Sequence, residues 1–186
     1  MDIPKDISIK DLLLDFSPKM AKEMITESGA AADLAGTEFS MVVDVSGEQY
    51  SYMVKNGTEI DASEGGLDNP MVKIEIAKDD LQKMVDMNTL DMFLGVQGDL
   101  NKAKYDAIGN TSGSMKMELT NDDGSVMPIK VILNGSETPN TVLKMKTADS
   151  IAVVNKTTNP VNLFMSGGLQ IEGDMAFAMR LQPIFG

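Results

Sequence analysis

Apolar and polar residues alternate along much of this chain with a period of two, and shorter stretches between carry helical spacing. Phe39, Met41, Val43 and Val45 take every second position, Ser46-Gly47-Glu48 makes a turn, and Tyr50, Tyr52 and Val54 alternate next. Asn56-Gly57 predicts a type I′ hairpin turn. A short strand near Ile60, a glycine-rich loop at Gly65-Gly66 and a strand carrying Val72, Ile74 and Ile76 follow. Ahead of these strands, Ile9, Leu12, Leu13 and Phe16 share one helical face behind the capping pair Ser8 and Asp11. Ser17-Pro18 reads as a fresh N-cap and first helical residue, so a second helix is expected to turn off there. Met20, Met24 and Ile25 line its inner side and Gly29 ends it. Asp79 or Asp80 starts a further helix with Leu81, Met84 and Val85 inward, and 90–108 reads as helical in parts, interrupted at Gly95 and Gly98.

The second half repeats this script. Two strands, Ser114 to Thr120 and Ser125 to Leu133, are joined by Asn121-Asp122-Asp123-Gly124, and Asn134-Gly135 makes another turn. Thr141 to Lys146 parallels Met71 to Ile76, and Ala148 to Ile151 parallels Lys78 to Leu81 at the same spacing. Two readings stand: an internal repeat of a hairpin, strand and helix unit over 37–108 and 114–185, or two stretches that converge on similar patterns.

The end of the chain is the densest in signals. Asn159 and Pro160 read as the N-cap and first residue of a short helix carrying Val161, Leu163, Phe164 and Met165, which Gly167-Gly168 stops. Leu169 to Glu172 alternates as a short strand, Gly173-Asp174 turns the chain, and Asp174 caps a last helix. Phe177, Leu181, Ile184 and Phe185 form one apolar stripe, with Pro183 expected to end that helix.

On Gly167 to Asp174 together with Ala178, Leu181, Ile184 and Phe185, the chain resembles the sterol carrier protein type 2 family of lipid-binding domains. Leu34 to Val43, Tyr50 to Gly57, Asp68-Asn69-Pro70 with Val72 to Ile76, and Asp79 to Leu81 extend the resemblance upstream. The resemblance implies an α+β fold, a sterol-carrier-like sheet covered by helices on one face, with an apolar tunnel between the layers. It implies noncovalent carriage of a lipid, fatty acyl chain or similar apolar molecule. The ligand-lining residues are then Phe164, Met165, Leu169, Ile171, Phe177, Leu181, Ile184 and Phe185, the apolar positions of the family's closing segment.

A chain of 186 residues suits one domain, here 1–186, with a sizeable core. Sixteen Met and no Trp leave flexible, polarizable side chains to fill the interior, which suits a variable ligand but also an ordinary core. With no Cys there is no disulfide frame or thiolate, and with no His the commonest general base and metal ligand is missing. Ser112, Ser114 and Ser166 thus have no histidine to activate them, so no catalytic residue, cofactor or metal is assigned. Asn121 to Gly124 lacks the D-x-D-x-D-G order of a calcium loop and reads as a solvated turn; Asp79-Asp80 reads as a cap plus a first-turn acid. Arg180, the only arginine, reads as a surface residue whose stem crosses apolar neighbours, or as a salt link to a ligand headgroup.

The net charge of −12 shows no basic stripe for nucleic acid and no polybasic run for anionic lipid. MDIPKDISIKD has no apolar signal region and no run nears the ~18 apolar residues of a bilayer span, so a cytoplasmic protein without stable membrane insertion is expected. The expected partner is an apolar small molecule. The alternative is a ligand-free interaction or regulatory module with a filled core.

Overall fold

The structure is a computed structural model that describes residues 3–4, 6–87, 89 and 101–185, the Phe185 side chain apart. The Gly95 and Gly98 interruptions expected within 90–108 lie outside the described residues.

One helical run opens the chain. It comprises α1 (Ile9–Asp11), a π-turn (Leu12–Phe16) and α2 (Ser17–Glu27). Ser8 accepts from the Asp11 N–H, as the capping pair predicts. The new N-cap expected at Ser17 is not formed, because Phe16 and Ser17 both keep helical dihedrals. The reason is local. Pro18 has no N–H and its ring crowds the preceding turn. The chain widens instead of breaking: the Ser17 N–H reaches back to the Leu12 carbonyl, one residue further than in a regular helix.

The strands β1 (Glu38–Val45), β2 (Glu48–Lys55), β3 (Glu59–Glu64), β4 (Val72–Ile76), β5 (Gly113–Thr120), β6 (Val126–Leu133), β7 (Asn140–Lys146) and β8 (Gln170–Gly173) form one mixed sheet in the order β3-β2-β1-β4-β6-β5-β7-β8. The Asn56-Gly57 and Asn134-Gly135 turns both have positive φ at both residues, as a type I′ geometry demands. The remaining helices among the described residues are α3 (Lys78–Asp86), α4 (Lys102–Gly109), α5 (Thr147–Val154), α6 (Pro160–Ser166), α7 (Met175–Arg180) and α8 (Gln182–Phe185). Ala77, not Asp79 or Asp80, occupies the N-cap of α3; the two acids fall in its first turn, where the helix dipole favours them. The Ser46 hydroxyl accepts the Lys78 N–H at that end from across the β1–β2 turn. The fold is therefore α+β, as the sequence implies.

The two halves of the sheet share a pattern of pairing. β1 and β2 form a hairpin and β4 runs parallel to β1; β5 and β6 form a hairpin and β7 runs parallel to β5. The halves meet where β4 pairs antiparallel with β6. This repeated connectivity points to an internal duplication.

One face of the sheet carries the apolar core, the other a charged ladder. On the charged face, Asp44, Lys73, Glu75, Lys130 and Glu137 link at 3.3, 2.8, 3.9 and 2.8 Å, and Lys116, Glu118, Lys144 and Glu172 at 2.7, 3.7 and 2.8 Å. On the apolar face lie two clusters. The first gathers Leu12, Leu13 and Met20 with Leu81 and Met84 over Val45, Leu119 and Ile129. The second gathers Ile25, Tyr105, Ile108, Phe177, Leu181 and Ile184 over Phe39, Met115 and Leu133. No helix among the described residues is long and apolar enough to cross a membrane.

Candidate functional site

The site is built from what the two clusters leave between them. A slanting row of apolar side chains crosses the helix-covered face: Ile60, Val54, Met41, Ile74, Met117, Leu143 and Ile171, on every strand but β6. Each is only half-buried, although several belong to central strands. Met41, Ile74 and Met117 pack against both clusters. On β6 the corresponding residues, Ile129 and Val131, are buried. The row is an apolar strip, or trough, between the two clusters; α2 spans both, giving Met20 to the first and Ile25 to the second.

At the β1–β3 end the trough deepens into a pocket of about 40 Å³. Its floor is Ser17, Ala21, Ile25, Phe39, Tyr52 and Tyr105, all buried; Pro18, Met41, Val54 and Ile60 form its half-buried mouth. Phe39 and Tyr105 stack edge to face at 5.1 Å. The two tyrosines differ. Tyr52 donates to the Leu13 carbonyl at 2.7 Å. In the π-turn register that carbonyl would accept from residue 18, and Pro18 has no N–H to give, so the tyrosine supplies the missing donor. The Tyr105 hydroxyl has no hydrogen-bond partner among the described residues; burial pushes it up to about 12, which keeps it neutral. Tyr52→Phe should therefore cost about 1–3 kcal/mol by orphaning the Leu13 carbonyl. Urea denaturation checks this; an unchanged midpoint would show that water replaces the hydroxyl.

The closing segment forms as its caps dictate. Asn159 accepts from the Asn162 N–H, Gly167 ends α6 at φ 80°, and Asp174 accepts from the Phe177 N–H. The last helix breaks at Leu181 rather than at Pro183, which falls in the first turn of α8, where a missing N–H is harmless. Of the side chains expected to line the ligand, Phe177, Leu181 and Ile184 are buried together in the second cluster. Leu169 is buried apart from either cluster, and Ile171 ends the trough. Phe164 and Met165 face solvent in this conformation, Met165 at 80% exposure. The Phe185 side chain lies outside the described residues. Arg180 is exposed, with its guanidinium 5.7 Å from the Phe177 ring centroid.

Polar chemistry is sparse. Asp123 accepts from the backbone N–H and hydroxyl of Ser125, whose hydrogen bonds hold its carboxyl below the usual range, and Asn121 bonds Ser125 and Thr147. This is a hydrogen-bonded turn, and the described residues hold no acidic cluster fit for a metal ion. Sequence reasoning did not single out Met41, Ile74, Met117 or Leu143 as site residues. In sequence they are inward positions of alternating strands, indistinguishable from core.

Residues 101–186 match the SCP-2 sterol transfer family, which bears out the resemblance over the second half of the chain. Hydroxysteroid dehydrogenase-like protein 2 of Xenopus laevis and that of Xenopus tropicalis are each 35% identical to this chain over 82 residues, 42% of this chain but only 18% of theirs. The chain thus aligns with under a fifth of those relatives' length. Among solved structures, the apo sterol carrier protein 2 of Yarrowia lipolytica is 19% identical and covers 42% of this chain and 76% of its own, with a TM-score of 0.36. Sterol carrier protein 2 like 2 of Aedes aegypti is 18% identical and covers 55% of this chain and 96% of its own, with a TM-score of 0.38.

Proposed function

We propose that this protein binds and carries an apolar molecule, a lipid, fatty acyl chain or similar, in the trough between its sheet and its helices. The observation that carries the reading is the half-buried row from Ile60 to Ile171, an apolar stripe that runs between the two core clusters on the helix-covered sheet face. The family match over 101–186 supports the class of ligand. The driving force is transfer from water, about 0.8 kcal/mol for each CH₂ buried. The reading makes the protein a carrier and not an enzyme, and assigns no catalytic residue, metal or cofactor.

Entry requires the cover to move. The pocket of about 40 Å³ has room for only a few water molecules, so a chain fits only when helices shift. The segment Phe164 to Phe185 is the proposed gate and the second wall. Its helices α7 and α8 are short, and short helices take most of their stability from tertiary packing. Phe164, Met165, Met175 and Met179 are exposed while Phe177 is buried, so the closing segment carries apolar side chains both inward and outward. Turning Phe164 and Met165 inward would complete the ligand wall.

Met117→Gln, a near-isosteric polar change in the trough, should weaken binding of a neutral apolar fluorescent dye about tenfold, the scale of one unpaired amide. Met53→Gln, at an equally half-buried site on the charged face, should not. Equal effects would refute the trough. In a second measurement, saturating dye should slow hydrogen exchange across 174–182 and leave the Asn56-Gly57 hairpin unchanged. Unchanged exchange in 174–182 with bound dye would move the gate to the run around Ser17-Pro18. The small void favours the other reading, a filled-core interaction module, and a protein that takes up no apolar dye would establish it.

A further inference from the structure

We infer that the hairpin of α5 and α6 is a docking surface for a lipid bilayer, met by a shallow apolar face without attraction between charges. The inference goes beyond the carrier reading and does not depend on it. The two helices lie side by side. Gly168, just past α6, stands beside the first turn of α5, where an added Cβ would come within 3.6 Å of the Asp149 carboxylate. At the other end, the Thr157 and Thr158 N–H groups turn back onto the Ala152 carbonyl at 2.9 and 3.3 Å. Burial on the hairpin is inverted. The buried residues of α5 are Thr147 and Ser150, and Thr147 donates to Asn121 at 2.6 Å, so the polar side of this helix is the one tied to the sheet. Its apolar residues Ile151, Ala152, Val153 and Val154 are only half-buried. α6 buries only Leu163, while Val161, Phe164 and Met165, one stripe at i, i+3 and i+4, are 44%, 45% and 80% exposed.

Charge selects the occupant. From Ser150 to Ile171 the only charged residue is Lys156, and all 28 Asp and Glu of the chain lie outside that stretch. A second copy on this face would bring together two chains of net charge −12, which repulsion opposes. A protein partner is steered and oriented by charges around the contact, and the hairpin offers only Asp149 and Lys156. A bilayer requires neither. It takes Val, Phe and Met side chains at the boundary between headgroups and acyl chains, and the exposed Asn155, Thr157 and Asn162 of the same hairpin meet headgroups without charge. The rest of the chain is acidic, so anionic lipid opposes the docking and a neutral lipid surface suits it.

Vesicle flotation of the full chain tests this. The wild type should float with phosphatidylcholine vesicles, and about threefold less with vesicles that also contain phosphatidylglycerol. Met165→Glu should weaken flotation on phosphatidylcholine about tenfold. Its site is 80% exposed, so the variant folds and its melting temperature should match the wild type. Val126→Glu is the control: Val126 is 52% exposed but shares the sheet face of Lys130, so this variant should float normally. Met117→Gln, the trough variant, should float normally too. Weakened flotation in Met117→Gln would show that lipid enters through the trough and would overturn the docking surface. Normal flotation of every protein but Met165→Glu, with dye affinity unchanged in Met117→Gln, would sustain the docking surface and strike the trough alone. Absence of flotation, preference for the anionic vesicles, or equal effects of Met165→Glu and Val126→Glu would overturn the proposal. A dimer in sedimentation that Met165→Glu splits would make the hairpin an interface between copies and overturn it also.

Discussion

Phe177→Ala is expected to destabilise the folded protein by about 3–5 kcal/mol, the cost of emptying a fully buried aromatic site. Phe177 is 0% exposed and belongs to the cluster of Tyr105, Met115, Leu181 and Ile184. It is the one buried side chain of α7, so the helix has little else to hold it to the sheet. The loss should unfasten α7 and α8 together and expose 174–185 to hydrogen exchange before the sheet opens. Against a typical stability of about 5–15 kcal/mol, this is a large fraction. Phe164→Ala is the control: that ring is 45% exposed, and its removal should shift stability by less than about 0.5 kcal/mol. Guanidinium denaturation of both variants decides it. Comparable losses would mean that Phe164 is structural and that the outward side of the cover is part of the core.

Local signals in the sequence carried far because the chain obeys them. Ser8, Asn159 and Asp174 cap as their positions predict, since a side-chain oxygen next to an orphan N–H needs no tertiary help. Asn56-Gly57 and Asn134-Gly135 turn as predicted because few residues accept positive φ twice in succession. The misread signal was Pro18. A proline can end a helix or be absorbed by a π-turn, and the choice depends on Tyr52, distant in sequence, supplying the donor for Leu13. The end of α7 at Leu181 is similar, because Pro183 sits in the first turn of a helix that the stripe of Phe177, Leu181 and Ile184 did not separate from the one before.

The site was less legible than the fold, and for a definite reason. Each strand announces its inward residues by alternation, but a trough is a property of the spacing between helices over many strands. Met41 and Met117 become neighbours of one groove only because β4 joins β6 across the middle of the sheet. Nothing in the alternation of Val72 to Ile76 distinguishes that pairing from an outer edge. Ser17 and Tyr105 come from helices far apart in the chain and line one pocket only once the sheet is formed. The two halves set against each other as a possible repeat, 37–108 and 114–185, share one feature of this placement. Phe39 meets Tyr105 near the start of β1, and Gly113 meets Phe177 at the start of β5, so a helix covers the same strand end in each half. The first half places two rings there; the second has one ring and a glycine.

That glycine gives the last prediction. Gly113→Ala should destabilise by about 3–5 kcal/mol, combining a strained backbone with overpacking. Its φ is +145°, a conformation side chains rarely adopt. A Cβ at this position would lie 2.5 Å from the Pro139 carbonyl oxygen and 2.6 Å from two carbons of the Phe177 ring. The carbonyl is backbone and the ring is fully buried, so neither can retreat without moving the β5–β7 junction or the α7 cover. The two contacts can be separated. In a Phe177→Ala background the ring contact disappears while the carbonyl contact and the dihedral strain persist, so Gly113→Ala should cost about 1–2 kcal/mol less there than in the wild type. Strict additivity in that double-mutant cycle would show that the ring moves freely aside. Phe177 would then be a mobile cover rather than a fixed wall, and the gate would open at the ring itself instead of by displacement of the helix.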